Sequence, residues 1–150
     1  MSRERYRDVN TLARQGQRLM QIGLGLLLFA SFEGFVIPYV TTPLVGRSVH
    51  TLSATFGLIL LTLGLVWPRL DLKPALSRIA FWFLVYSGLA IIAAFFLAAL
   101  WGAGKSTMPL SGAPEGTAFQ EAAIAAVAYS SAPTGIVSFA LILWGLRTPR

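Results

Sequence analysis

Cysteine is absent from this 150-residue chain, histidine occurs once, and charged residues make up only 12% of it. Without cysteine there are no disulfides, thiolate metal ligands, covalent haem attachments or cysteine nucleophiles, and the redox compartment is unreadable. With His50 as its single histidine, one chain cannot build the shell of about four ligands that a structural zinc site needs. The charges also avoid four stretches, roughly Leu19–Tyr39, Val49–Val66, Ile79–Trp101 and Ala122–Leu146. Each is about the ~20 residues a helix needs to cross ~30 Å of hydrocarbon. Short connections leave no room for a separate soluble domain. The sequence therefore predicts an all-α, integral membrane four-helix bundle: a basic arm over residues 1–18, a four-helix domain over 19–147 and a short tail over 148–150.

The first stretch contains a carboxylate, Glu33, but its eleven Leu, Ile, Val and Phe residues favour insertion by about 5 kcal/mol against about 3 for a mid-membrane charge. It is too long for a signal-peptide core, and no Ala-x-Ala site follows. Basic residues set the orientation. Arg3, Arg5, Arg7, Arg14, Arg18, Arg69, Lys73, Arg78, Arg147 and Arg150 lie on one side and only Arg47 and Lys105 on the other, which predicts cytoplasmic termini in a multi-pass protein of a bacterial-type inner (plasma) membrane. The net charge of +6 fits anionic headgroups better than nucleic acid, because no aromatic residues interleave a basic surface.

Several features admit two readings. On the second helix His50, Ala54, Gly57, Leu61 and Gly64 share a face, which is either a groove for a flat ligand or plain helix packing, the latter preferred for Ala54 and Gly64. Tyr86, deep in the third helix, suits substrate contact and interhelix bonding equally. Pro133 frees the carbonyl of Tyr129, which Ser130, Ser131 and Thr134 can re-satisfy. Trp67, Trp101 and Trp144 sit at segment ends as interface anchors would. Gly102–Ser106 has the look of a phosphate-binding loop, but no strand precedes it and Met108–Pro109 stands where a helix should start. Glu33 is a proton donor or acceptor if desolvated, and an ordinary structural charge if paired with Arg47 or open to outer water.

An ionisable side chain at membrane depth marks a functional site, and His50 needs only a macrocycle to become an iron ligand. Taken alone, a solitary histidine near an interface is more often a headgroup or helix-cap contact than a haem ligand. Met108, in the outer connection, lies on the correct side to compete for a sixth iron position.

The run Thr42–Pro43…Gly46–Arg47–Ser48–Val49–His50…Gly57, then Leu63–Gly64–Leu65–Val66–Trp67–Pro68–Arg69–Leu70, Trp101–Gly102–Ala103–Gly104…Met108–Pro109…Gln120–Glu121 and Leu143–Trp144–Gly145–Leu146–Arg147 resembles the hydroxylaminobenzene mutases. These are four-helix membrane isomerases that convert arylhydroxylamines to aminophenols, and they are similar, more distantly, to the styrene oxide isomerases. The resemblance implies a b-type haem at a homotrimer interface, with His50 as axial ligand and the iron as Lewis acid on a small aromatic substrate. Residues and resemblance together give Glu33 as candidate catalytic group, Phe56, Tyr86, Ile91 and Phe95 as substrate pocket, and His50 and Gly57 as cofactor contacts. Where the family pattern calls for asparagine, this chain has Phe56 and Ile91, so the pocket is more apolar. That leaves open an aryl epoxide isomerase or a haem-binding or structural membrane protein without catalysis. A transporter fits poorly, since no inverted repeat is apparent.

Overall fold

The computed structural model describes residues 3–147, with side-chain surroundings from residue 10 onward; the short tail at 148–150 and the side chains of Arg3, Arg5, Arg7 and Arg150 lie outside the described residues. Four helices account for nearly all of the chain: α1 (Arg3–Val36), α2 (Pro43–Val66), α3 (Pro74–Trp101) and α4 (Ala118–Gly145). All four are long and apolar enough to cross a membrane. Helix α1 starts sixteen residues before the apolar stretch, so the basic segment from Arg3 to Arg18 is helical and continuous with the first span.

The boundaries follow local chemistry. Proline opens both α2 and α3, where its missing donor costs nothing. Gly102 closes α3 in the left-handed region at φ 60, which glycine adopts without penalty. Thr117 and Gln120 form a reciprocal capping box at the start of α4.

Helices α1 and α2 pair as a hairpin through a seven-residue ladder of small groups. A Cβ added at Gly16 would stand 2.6 Å from the carbonyl oxygen of Gly64, and one at Gly23 would stand 2.6 Å from that of Gly57. No real side-chain carbon fits there, so these glycines let the two backbones touch. In lipid, where apolar burial between helices gains little, such close approach holds helices together. The antiparallel register pairs residue 16 with 64 and 23 with 57, and continues to 30 with 50.

Hydroxyls sew α3 to α4. Ser87 donates to the Ser131 carbonyl at 2.9 Å, Ser138 to the Ala80 carbonyl at 2.8 Å, and the hydroxyls of Tyr86 and Ser130 share a bond of 2.8 Å. Helix α4 continues through Pro133. Thr134 bonds the carbonyls of Ser130 and Ser131, and Ser130 and Ser131 bond those of Val127 and Ala128, so none of these hydroxyls reaches the Tyr129 carbonyl. The two hairpins meet through α2 and α3, while α4 packs along α3 alone and stands clear of α2. A groove results between α2 and α4.

Trp67 corrects one sequence expectation. It is fully buried, its Nε1 donates to Gln15 Oε1 at 3.1 Å, and its ring meets Phe81 edge-on, so it belongs to the core. Trp101 and Trp144 are exposed at their helix ends, with the Arg147 guanidinium over the Trp144 ring at 3.8 Å.

The connection between α3 and α4 is organised around Glu121. Its carboxylate accepts the backbone amides of Gly104 at 2.7 Å, Ser106 at 3.1 Å and Gly116 at 2.9 Å, together with the Ser106 hydroxyl. The glycine-rich Gly102–Ser106 loop does cradle an anion, then, but one supplied by this chain. Glu121→Ala is expected to speed amide hydrogen exchange at Gly104, Ser106 and Gly116 while leaving the four helices intact. Unchanged exchange at these amides would show that the carboxylate does not hold the loop.

Candidate functional site

His50 occupies the third rung of the α1–α2 ladder. Its Nδ1 lies 2.9 Å from the carbonyl oxygen of Ala30, which can only accept, so Nδ1 carries the proton and donates. In the neutral ring the lone pair is then on Nε2. The side chain is 44% exposed, which leaves Nε2 free to bind outside the hairpin. Gly34 flanks the imidazole, where a Cβ would make ordinary contact at 3.5 Å.

Glu33 lies behind the ring. Its Oε2 is 3.6 Å from His50 Nδ1, its side chain is only 6% exposed, and that oxygen has no hydrogen-bond partner among the described residues. Glu33 therefore makes no ion pair with Arg47, and its Oε2 is closed off from solvent. It stands on the Nδ1 side, away from the atom that would ligate a metal. A carbonyl and a carboxylate behind an imidazole are the usual outer shell of a metal-binding histidine, fixing its tautomer and raising its basicity.

The groove lies on the other face of α2. Ser48 and His50 are two residues apart and so point about 200° apart around the helix. Ser48 lines a cavity of about 580 Å³ with Ile91 and Phe95 of α3, Met108 of the α3–α4 connection, and Tyr129 and Ala132 of α4. Arg47, Thr51 and Leu52 extend it along α2, again beside Phe95. Its floor is apolar, and its polar groups are hydroxyls and backbone, with the Arg47 side chain along the α2 extension.

The structure thus brings Ile91 and Phe95 together in one groove. Phe56 packs at the α2–α3 interface, where a Cβ on Gly88 would fall within its ring. Tyr86 stands apart, bonded to Ser130. Gly57 is buried against Gly23 and Leu27 of α1, so helix contact accounts for its lack of a side chain. Met108 is buried on the groove side. No cluster of three or more His, Asp or Glu residues that could hold a bare metal ion occurs among the described residues. Sequence reasoning missed Ser48 and Tyr129 as lining residues, because only the separation of α4 from α2 exposes them to a common space.

The Phe56 contact can be tested directly. Gly88→Ala is expected to cost about 1–3 kcal/mol through overpacking, and Phe56→Leu in the same chain to recover most of it. Additive losses in thermal denaturation of the double variant would contradict the contact.

Comparison with known proteins gives concordant results. The sequence model of the styrene oxide isomerase family matches residues 15–147. Hydroxylaminobenzene mutase HabB of Ectopseudomonas oleovorans is 41% identical over 140 residues, covering 93% of this chain and 85% of that protein. Hydroxylaminobenzene mutase HabA of the same organism is 32% identical over 129 residues, covering 85% of this chain and 96% of that protein. No solved structure matches the chain.

Proposed function

The chain belongs to the styrene oxide isomerase family, and from that membership and the geometry of His50 we propose a membrane isomerase that rearranges an arylhydroxylamine to an aminophenol. The supporting observation is the imidazole itself: one proton committed to Ala30, one lone pair turned outward, and a carboxylate oxygen buried behind it without a partner. These residues fit a haem, which asks one protein ligand of the chain. When bound, its iron supplies a Lewis acid that weakens the substrate's N–O bond.

The chain's own residues do the rest. Ala30 and Glu33 orient and polarise His50 from the Nδ1 side, so Glu33 is a positioning residue that acts through the ring. Ile91, Phe95 and Met108 offer an apolar surface for the aromatic ring, and such a surface limits escape of a cationic intermediate to water. The reaction is an isomerisation in which oxygen moves from nitrogen to a ring carbon and a ring proton is lost to nitrogen. No external oxidant or reductant is consumed.

Because the ligand and the groove occupy opposite faces of α2, a complete site forms where the His50 face of one subunit meets the groove of the next. A head-to-tail contact forms a ring where the rotation between neighbours closes, and the ring proposed here is a homotrimer. Subunit mixing tests this. His50→Ala and the groove-blocking Ala132→Trp should each be inactive alone, whereas equal co-assembly should restore roughly a quarter of wild-type phenylhydroxylamine turnover. No recovery in mixed oligomers would contradict a shared site.

Glu33→Gln keeps the shape but replaces the carboxyl group behind His50. It is expected to lower haem affinity about 10- to 100-fold with the oligomer intact. Unchanged affinity in a haem titration would remove Glu33 from the account. The apolar Ile91 in the groove favours a second substrate class as well, so styrene oxide belongs in the same assay.

A further inference from the structure

At the end of the bundle that carries the N-terminus, far from His50, α1 and α3 enclose a cleft of about 270 Å³ lined by Arg14, Arg18, Arg78, Gln15, Phe81 and Trp82. Three arginines thus line one cleft from two helices. None makes an ion pair with a carboxylate among the described residues, where the ion pairs are Lys105–Glu115 and the contact between His50 and Glu33. Asp71, in the nearby α2–α3 connection, is exposed and likewise makes none. Gln15 is engaged by Trp67, which leaves the arginines as the groups that define the site's charge.

The cleft does not end at the charges. Along α1, Arg14, Arg18, Gln21 and Gly25 follow one another at helical spacing, and a Cβ at Gly25 would meet nothing within 4 Å. Along α3, Arg78 is followed by Trp82 and Leu89, both exposed. Phe29 and Phe96 meet edge-on farther up, with centroids 6.1 Å apart. Helices α1 and α3 touch only sparsely between these points. The path therefore runs from a cationic mouth at the membrane interface into an open apolar furrow. A free anion would use only the mouth, whereas an amphiphile with an anionic head would use both.

We propose that this cleft binds one anionic phospholipid, its phosphate among Arg14, Arg18 and Arg78 and an acyl chain along the α1–α3 furrow past Gly25. Arginine forks suit phosphate oxygens, and basic pockets between membrane helices suit anionic headgroups. Trp82 at the mouth provides the amphipathic ring common at that depth. This assignment is independent of the haem site and of the reaction.

Native mass spectrometry of the full-length protein in detergent tests the proposal with four probes: phosphatidylglycerol, phosphatidylcholine of the same chains, the chain-free glycerophosphoglycerol headgroup and inorganic phosphate. One phosphatidylglycerol should bind per chain, at least about tenfold more tightly than phosphatidylcholine. Each of Arg14→Gln, Arg18→Gln and Arg78→Gln should lower that preference about fivefold, and Arg147→Gln, at the same end of the bundle but stacked on Trp144 of α4 outside the cleft, should not. The single variants, and lysine at the same three positions, keep the test valid if a triple variant fails to fold. Equal binding of the two lipids, or binding insensitive to the three arginines, would overturn the assignment. Equally tight binding of the chain-free headgroup or of phosphate would identify a plain anion site and also overturn it. So would a cleft that takes up no lipid until the oligomer is dissociated, since a second copy would then be its occupant.

Discussion

His50→Ala is expected to give a colourless protein whose conversion of phenylhydroxylamine to 2-aminophenol falls by roughly a thousandfold or more. Lewis-acid stabilisation by a bound metal is worth several kcal/mol in the transition state, and about 4 kcal/mol corresponds to that factor. The chain has no second histidine and no cysteine to take over as ligand. The substitution removes a half-exposed ring at the third rung of the ladder, where alanine is compatible with helix and contact alike, so the oligomer should persist. Added imidazole should enter the vacated space and restore part of the Soret absorbance. A variant that loses turnover but keeps its colour would show that iron is held elsewhere. One that keeps turnover would remove iron ligation by His50 from the mechanism.

Gly23→Leu is expected to destabilise the protein by about 3 kcal/mol and to weaken haem binding at a distance. Its Cβ would collide with the Gly57 carbonyl at 2.6 Å and with the Leu61 amide nitrogen at 3.0 Å. Both obstacles are backbone, so neither can rotate aside, and α1 must move away from α2. Ala30 is one rung farther along the same face, and its carbonyl holds Nδ1 of His50 at 2.9 Å. A displacement of the helix therefore also releases the tautomer that turns Nε2 outward. Gly25→Leu is the matched control, since its Cβ would meet nothing within 4 Å. Thermal unfolding and haem titration of the pair should separate them clearly. Equal behaviour would mean that the glycine ladder does not set the register of the site.

The spans were legible because hydrocarbon thickness acts on composition alone, and the apolar lengths at Val49–Val66 and Ile79–Trp101 end where α2 and α3 end. The N-terminal extension of α1 was not, since a basic amphipathic turn carries no hydropathy signal. Half of the ladder was visible in Gly57 and Gly64. Its partners Gly16 and Gly23 were not, because a register between two helices exists only once they pair. Trp67 has the sequence position of an interface anchor, and its burial depends on Gln15 from another helix.

For the site, the identity of His50 was readable from its being the single imidazole at membrane depth. The direction of its lone pair was not, since that is fixed by the Ala30 carbonyl. The sequence left Glu33 open between a desolvated proton donor or acceptor and a structural charge, paired or solvated, and the structure buries it beside the ring. The groove was invisible for a different reason: it is created by a missing contact, the separation of α4 from α2.

The central claim is that Nε2 of one imidazole binds iron while Nδ1 is held by the chain. Since the protein has a single histidine, labelling that amino acid with ¹⁵N at Nε2 or at Nδ1 marks one atom per subunit, and electron–nuclear double resonance of the haem-loaded protein reads which atom is bonded to iron. The account predicts a strong directly bonded ¹⁵N coupling with the Nε2 label and only a weak remote coupling with the Nδ1 label. A strong coupling from Nδ1, or no histidine nitrogen coupled at all, would contradict it.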